Sequence, residues 1–167
     1  SEMCIRDRNT MVAAAQLGAN SFYSCKVASD ETGDFFMSDL KIAGVDTNLD
    51  GGRVDGITGK CLSMETPDAE RTMTTHLGIT ETLSPNELNR EALRNSTYLY
   101  IEGYLVTSPT AFAAVKETID IAKQAGVQVS LTLSDPAMVE NFKASFDALA
   151  ALGIDLIFCN EDEARLW

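Results

Sequence analysis

The second half of the chain alternates between strand-like and helix-like patterns, and this alternation restricts its fold more than any other feature. Aromatic and apolar strand patterns cover residues 97–101, 127–133 and 154–158, with apolar residues at helical spacing between them. The order strand, helix, strand, helix, strand is typical of a parallel sheet whose strands are joined by right-handed crossovers. The sequence therefore predicts an α/β fold with helices packed on a parallel sheet.

The helices of this half carry start and stop signals. Ser108 is suited to begin the first crossover helix and Gly126 to end it, and Gly153 ends the second. A further helix is expected to begin at Ser84, because Glu87 lies three residues later and completes a capping box. The apolar faces of the two crossover helices consist of Phe112, Val115, Ile119 and Ala122, and of Met138, Phe142, Phe146 and Leu149.

The first half is less regular. Its patterns predict a buried helix over residues 10–17, a strand over 21–27 and a helix over 33–43. Two strand-like runs then meet at a turn containing Pro67. They predict a β-hairpin, and we interpret the region of about residues 45–76 as a small lid.

Polar residues cluster where the strands of the second half end. Glu102 closes the first strand, Ser134 and Asp135 follow the second, and Asn160 and Glu163 follow the third. The carboxyl ends of parallel strands form the edge at which open α/β sheets bind ligands. This edge is therefore the candidate site.

Each candidate also has a purely structural explanation. Asn160 can cap a helix while Glu163 reaches back to the cap amide; alternatively, Glu163 holds Mg²⁺ near nucleotide phosphates, directly or through a water. Asp135 is either a turn residue before a proline or a group facing the cleft. Arg71, on the hairpin, is either a solvated charge or a clamp that closes over an anion.

Composition excludes several classes of function. With 167 residues, 45% of them hydrophobic, the chain can form one domain with a substantial core. Its 25 acidic residues against 13 Lys and Arg give a net charge of −12, which argues against nucleic acid and membrane partners. A nucleotide can still bind if a divalent cation and backbone amides screen its phosphates.

The cysteines and the single histidine restrict the chemistry further. Four cysteines are scattered without a C-x-x-C pair, and because Cys25 and Cys159 sit in apolar runs, we expect buried reduced thiols and a cytoplasmic setting. His76 is the only histidine, which excludes imidazole-rich zinc sites. The stretch GITGKC departs from a phosphate loop at Val54 and Cys61, and no G-x-G-x-x-G occurs.

Several ordered motifs together resemble the ribokinase-like, or PfkB, carbohydrate and nucleoside kinases. They are NTMVAAAQLGA, KVASDETGDFFMSDLKIAGVDT, TPDAERTM, a parallel α/β segment and NEDEA. Within the family, PDAERTMTTHLG, YLYIEGYL and LTLSDP look most like bacterial adenosine kinase-like members. The resemblance implies a ribokinase-like three-layer fold with a parallel central sheet and a small β lid, in which residues 9–167 form part of a PfkB kinase domain.

The resemblance also implies an activity and its participants. Family members transfer the γ-phosphate of ATP, with Mg²⁺, to a hydroxymethyl group of a small-molecule nucleoside or sugar. By this resemblance Asn9 contacts the acceptor, and Asn160 and Glu163 form the N-x-x-E motif that organises Mg²⁺ and phosphate. Gly33 belongs to a structural D-x-x-G turn. Lids in the family can pair between subunits, which makes a homodimer one expectation.

This sequence departs from the family pattern at both ends. Residues 1–8 stand where glycine-rich family residues are expected, and we interpret them as a non-native leader. The catalytic G-x-G-D motif does not occur, so no catalytic residue is assigned and the 167 residues alone are expected to be inactive. We therefore expect a kinase fragment, incomplete at both ends, with an open sheet edge after residues 154–158 and marginal solubility.

Two questions of function stay open on the sequence alone. The alternative to a kinase fragment is a non-catalytic ligand-binding or oligomerisation module of the same fold, which the missing G-x-G-D motif would fit. Among acceptors, adenosine is favoured over ribose or fructose.

Overall fold

The structure, a computed structural model, describes residues 2–49, 53–68 and 71–167, and the side chains of residues 2–6 and 71 lie outside that description. The chain divides into two compact units, Ser1–Leu83 and Ser84–Trp167. Within the described ranges, every helix is too short or too polar to cross a membrane.

The first unit is built on a short parallel strand pair. Its first elements are helix α1 (Glu2–Gln16), strand β1 (Ser21–Tyr23), helix α2 (Glu31–Ile42) and strand β2 (Val45–Thr47). Ser21 of β1 lies opposite Val45 of β2. The core between these elements consists of Tyr23, Cys25, Val27, Leu40, Val45 and Leu49.

The predicted strand over residues 21–27 is shorter in the structure because a side chain replaces the neighbouring strand. The Asn48 side chain accepts a hydrogen bond from the Cys25 amide (2.9 Å) and donates one to the Cys25 carbonyl (3.0 Å). Cys25 and Val27 are nevertheless buried, as the apolar pattern predicts.

Two burial predictions were wrong. The helix predicted over residues 10–17 exists, but none of these residues is fully buried, and Leu17 is 90% exposed. Among the described side chains of α1, Met11, Val12 and Ala15 pack on the core, and the strand pair beneath the helix is too narrow to bury the rest of residues 10–17. Cys25 is buried as expected, but Cys159 is exposed, since it follows an edge strand that is covered on one face.

The expected boundary between a leader and the kinase domain falls inside α1. The helix runs from Glu2 to Gln16 and passes through residues 8 and 9 without interruption. The leader over residues 1–8 stays a prediction.

The predicted hairpin is present, but it covers fewer residues than the predicted lid region of about residues 45–76. Strands β3 (Lys60–Glu65) and β4 (Arg71–His76) pair antiparallel, with Lys60 opposite His76. Both strands are largely exposed, including His76. Residues 45–47 belong instead to β2 and pair with β1.

The two ends of the hairpin are held together at its base. The Ile79 amide donates a hydrogen bond to the Ile57 carbonyl (2.9 Å). Gly78 has a φ of 54°, and a Cβ there would lie 2.0 Å from the Ile57 oxygen. Glycine is therefore required where the two segments cross.

The second unit confirms the predicted strand and helix order. It consists of 3₁₀ turns at Pro85–Glu87 and Gly103–Thr107, helices α3 (Arg90–Arg94), α4 (Pro109–Ala125), α5 (Pro136–Ala151) and α6 (Glu161–Leu166), and strands β5 (Tyr98–Glu102), β6 (Gln128–Thr132) and β7 (Leu156–Phe158). The three strands form one parallel sheet in the order β5-β6-β7. The α/β class is confirmed.

Helix caps follow the sequence signals with one exception. Ser108 caps α4 and Gly126 ends it in the left-handed region, with a φ of 74°. The capping box of Ser84 and Glu87 forms, but it begins a single 3₁₀ turn, because Leu88 is extended and interrupts the helix. The following helix, α3, has its own cap at Asn89.

We expect Gly126→Ala to destabilise the protein by about 1 kcal/mol, because alanine is strained at positive φ. An added Cβ would meet no atom within 4 Å, so the effect isolates backbone strain from steric clash. Urea unfolding followed by circular dichroism measures it. Gln124→Ala, at an exposed position of α4, is the control and should change stability by less than about 0.5 kcal/mol. Equal stability of Gly126→Ala and the unmodified chain would contradict the explanation.

Candidate functional site at the carboxyl edge of the sheet

The three strands of the second unit end at one edge, as their parallel order requires. Glu102 is the last residue of β5, and the Leu133 amide, just after β6, donates to the carbonyl of Phe158 at the end of β7 (3.0 Å). The polar residues that follow each strand are thereby collected along this edge.

Glu102 is a buried residue that links the ends of two strands at this edge. It is only 3% exposed. One carboxylate oxygen accepts from the Tyr100 hydroxyl (2.9 Å) and the other from the Ser134 hydroxyl (2.8 Å). The Ser134 oxygen accepts in turn from the Gly103 amide (2.8 Å). A continuous set of hydrogen bonds therefore joins the ends of β5 and β6.

Two unusual backbone features occur at these strand ends. Ser134 has a φ of 70°, in the left-handed region, a conformation that costs a non-glycine residue about 1 kcal/mol or more. At Gly103, a Cβ would lie 2.5 Å from the Thr132 carbonyl oxygen, so no side chain fits there. Strained residues of this kind concentrate at functional sites.

Asp135 serves as a helix cap. Its carboxylate accepts a hydrogen bond from the Ala137 amide (2.8 Å) at the start of α5. The structure therefore supports the interpretation of Asp135 as a turn residue, which is one of the two interpretations made from the sequence.

Asn160 and Glu163 are brought together in a complete capping box at the start of α6. The Glu163 amide donates to the Asn160 side chain (2.8 Å), and the Asn160 amide donates to the Glu163 carboxylate (3.1 Å). The Asn160 side-chain nitrogen also donates to the other carboxylate oxygen (3.0 Å). Glu163 is only 5% exposed.

The three consecutive acids therefore differ in their environments. Glu161 and Asp162 are exposed and form ion pairs with Arg165, one turn further along α6. Only Glu163 turns inward to the helix start. The structural role of the motif, helix capping, is fully met without a ligand.

A magnesium ion at this edge of the sheet would need carboxylate oxygens as ligands. Among the described residues, no group of three His, Cys, Asp or Glu side chains is arranged to hold a metal. Mg²⁺ bound with a nucleotide needs only one or two carboxylates, since waters and phosphates complete its shell. Each Glu163 oxygen accepts one hydrogen bond and has a second lone pair. Glu163 is therefore able to accept a hydrogen bond from a water molecule that a magnesium ion would hold.

The remaining predicted site residues belong to the first unit. Asn9 is exposed on α1, and its side-chain oxygen accepts from Arg8 (2.7 Å). Arg8 also forms an ion pair with Asp39 of α2. Arg71 begins β4, and its side chain lies outside the described part of the structure.

Asp30 accepts a set of hydrogen bonds that joins the start of α2 to the loop before the hairpin. The sequence did not predict these contacts. The Asp30 carboxylate accepts from the Thr58 hydroxyl (2.5 Å), the Thr58 amide (3.0 Å) and the Gly33 amide (2.8 Å). These hydrogen bonds, led by that of the Thr58 hydroxyl, lower the pKa of Asp30 to about 2. The motif D-x-x-G marks the helix start, but no local signal indicates Thr58.

Gly33 has the structural role that the family resemblance implies. A Cβ at Gly33 would lie 2.1 Å from the Ala28 carbonyl oxygen. The same oxygen accepts from Arg53 (3.0 Å), which also pairs with Asp34 (2.5 Å). The start of α2 therefore packs directly on the preceding segment.

The second unit is an α/β unit with polar residues along the carboxyl edge of its parallel sheet, the edge at which open α/β sheets bind ligands. Comparison with known proteins specifies it further: a profile of the pfkB family carbohydrate kinases matches residues 7–167. The chain belongs to the pfkB family, and its fold is ribokinase-like.

Individual relatives support this assignment. The adenosine kinase from Sinorhizobium meliloti is 33% identical, with a TM-score of 0.90, over 95% of this chain and 49% of that protein. A probable sugar kinase from Rhizobium etli CFN 42 is 31% identical, with a TM-score of 0.89, over 95% and 48%. A ribokinase from Staphylococcus aureus (strain COL) is 26% identical over 160 residues, 95% of this chain and 49% of the relative. The chain spans about half the length of these relatives.

We expect Asp30→Asn to lower stability at neutral pH by about 1 kcal/mol or more, because the amide cannot accept all three hydrogen bonds. The pH dependence should also change. Since the pKa of Asp30 is lowered from 3.8 to about 2 in the folded chain, its stabilisation is present above pH 3.8 and lost as pH falls toward 2.

Chemical unfolding at pH 5 and pH 2.5 checks this expectation. The variant should lose less free energy of unfolding between the two values than the unmodified chain. Asp120→Asn, which removes an exposed carboxylate from α4, is the control for the change in net charge. An acid-induced loss equal to that of the unmodified chain would show that Asp30 does not contribute.

Proposed function

We propose that this chain is part of an ATP-dependent kinase that phosphorylates a hydroxymethyl group of a nucleoside or sugar, with adenosine as the favoured acceptor. The observation that carries the proposal is the family match over residues 7–167, with the N-x-x-E residues at the carboxyl edge of a parallel sheet. The identity of 33% to an adenosine kinase favours adenosine, and the similarity to ribokinases makes ribose the runner-up, ahead of fructose.

In the proposed reaction the residues of this chain position ligands. ATP would supply the phosphoryl group, and a bound Mg²⁺ would neutralise part of the charge on its phosphates. Glu163, held rigidly by Asn160, would help to hold that ion through a water. Asn9, exposed on α1, hydrogen-bonds the acceptor. Arg71 on the hairpin is the candidate contact to phosphate.

The hairpin is proposed as the lid over the acceptor and as a surface for pairing in a homodimer. A two-stranded hairpin is marginal by itself, and this one exposes Leu62, Met64 and Met73. Covering these side chains would stabilise it. A cytoplasmic setting is proposed from the cysteines, since Cys25, Cys61 and Cys159 are thiols that form no disulfide in the described part of the chain.

The second candidate is a non-catalytic ligand-binding or oligomerisation module. The observation that favours it is that no G-x-G-D motif, the expected source of the base, occurs in the 167 residues. Kinase activity of a protein that joins this chain to a G-x-G-D segment distinguishes the candidates, because a binding module would bind acceptor without forming ADP.

The test joins this chain to the part of the Sinorhizobium meliloti adenosine kinase that it does not match, in one polypeptide. With Mg²⁺-ATP we expect ADP formation that depends on adenosine, ribose or fructose, in that order of preference. The 167-residue chain alone is the baseline and should form no ADP above a control without protein. Sustained turnover by the chain alone would overturn the assignment of the base to the missing motif.

In the joined protein, Glu163→Gln is expected to lower the turnover rate by about 10- to 100-fold, because the amide weakens the water-mediated contact to Mg²⁺. Its effect on the melting temperature should be small, since glutamine also completes a capping box. Glu161→Gln, outside the box, is the matched control. A large loss of stability with normal kinetics would assign Glu163 to capping alone.

Asn9→Ala in the joined protein is expected to raise the KM for the acceptor by about 3- to 10-fold, the effect of one lost hydrogen bond. The KM for ATP should change little, and Asn141→Ala, on the exposed side of α5, should change neither value. An increase confined to the KM for ATP would place Asn9 at the nucleotide instead.

A further inference from the structure

Strand β6 ends in an unusual turn. The Asp135 amide donates a hydrogen bond to the Leu133 carbonyl (2.9 Å), two residues back, and Ser134 between them has a φ of 70°. This combination is a γ-turn of the positive-φ form, which is rare because its central residue is strained. Such a conformation persists only when the surrounding structure holds it in place.

The Ser134 side chain holds this turn. Glycine adopts a positive φ without a steric penalty, so a turn that needed only this backbone shape would be expected to carry glycine. Serine adds a hydroxyl, which accepts a hydrogen bond from the Gly103 amide (2.8 Å) and donates one to Glu102 (2.8 Å). Because Ser134 is only 4% exposed, both bonds are shielded from water. The turn is therefore fastened to the end of β5.

Glu102 is the fixed end of this link. Its second carboxylate oxygen accepts from the Tyr100 hydroxyl (2.9 Å), so the group is bonded at both oxygens and cannot rotate freely. Burying a carboxylate costs more free energy than burying a neutral amide or hydroxyl, either of which could accept the bond from Ser134. Cohesion of the sheet alone therefore does not explain this residue type. Its fixed position points to a requirement on where the turn lies.

The turn lies in the middle of the candidate site. Strand β6 runs between β5 and β7, and neighbouring strands lie roughly 4.8 Å apart. The Leu133 amide, in the first residue of the turn, donates to the carbonyl of Phe158, just before Asn160 of the N-x-x-E motif. In phosphoryl transfer the acceptor hydroxyl must come within roughly 3.5 Å of the phosphate. An acceptor bound at this edge would therefore lie beside that motif, next to the turn.

We propose that Glu102 is a positioning residue for the acceptor: through the Ser134 hydroxyl it keeps the γ-turn in the conformation that lets the acceptor reach the phosphate. This inference rests on the proposed function, because it takes the N-x-x-E motif as the phosphate end of the edge. Both residues are buried and act through the backbone of the turn. Without the link, the strained turn relaxes and the acceptor binds less tightly.

The experiment uses the joined protein described above, with Mg²⁺-ATP and adenosine. Glu102→Gln replaces one accepting oxygen by a donor, and Ser134→Gly removes the hydroxyl without adding strain. Each should raise the KM for adenosine by about 3- to 10-fold and leave the KM for ATP nearly unchanged. The double variant should raise it no further than the stronger single variant, because both changes break the same link.

Ser96→Ala is the matched control. The Ser96 hydroxyl donates to the Ala92 carbonyl (2.8 Å), so this variant also loses one partly buried hydrogen bond, but at the amino end of β5. It should lower the melting temperature, as loss of such a bond does, and leave both KM values unchanged. The comparison separates positioning of the acceptor from a loss of stability.

Backbone hydrogen exchange of the 167-residue chain tests the link without any ligand. After correction for intrinsic rates, the Asp135 amide should exchange at least roughly tenfold faster in Ser134→Gly and in Glu102→Gln than in the unmodified chain, because the turn opens more often. The Phe112 amide, which donates to Ser108 at the start of α4, is the internal control and should keep its rate.

Unchanged exchange at Asp135 would overturn the proposal, since the turn would then not depend on the link. An increase in the KM for adenosine no larger than that of Ser96→Ala would also overturn it and leave Glu102 a structural role. If the unmodified joined protein forms no ADP, the proposed function fails, and titration of adenosine without ATP decides instead. The two variants should then weaken adenosine binding by the same factor of about 3 to 10, and equal binding by all variants would contradict the inference.

Discussion

The packing of α4 and α5 on one face of β6 holds the second unit together. Val129 and Leu131 of this central strand are completely buried, as are Ile119 of α4 and Phe146 of α5. Because the helices and strands alternate in the chain, this packing forces β5, β6 and β7 into parallel order. The position of every polar residue at the carboxyl edge depends on that order.

At the edge itself, buried polar groups are satisfied by one another. Glu102 accepts hydrogen bonds from Tyr100 and Ser134, and Glu163 accepts one from the Asn160 side chain. Among the described residues, no buried side-chain nitrogen or oxygen lacks a hydrogen-bond partner. These side chains are therefore held in place by the fold itself, and such preorganisation lowers the entropic cost of binding wherever a ligand uses it.

Whether a prediction from the sequence was confirmed depended on how far apart along the chain the interacting residues lie. Caps and glycine stops, such as Ser108 and Gly126, were found because partner groups lie within a few residues. The burial of Cys159 was predicted wrongly, because an apolar run does not reveal whether its strand is covered on one face or on two. The prediction of a single helix after Ser84 was wrong, because the backbone of Leu88 is extended. No local sequence pattern indicates this conformation.

The sequence by itself determined the strand and helix order, the family and the capping box of Asn160 and Glu163, since these depend on periodicity and on residues three positions apart. Only the tertiary structure decided that Asp30 binds Thr58, 28 residues away, and that Glu102 binds Ser134, 32 residues away. Such contacts depend on where the packing of helices and strands brings distant backbone segments, and hydrogen bonds act only over about 3 Å.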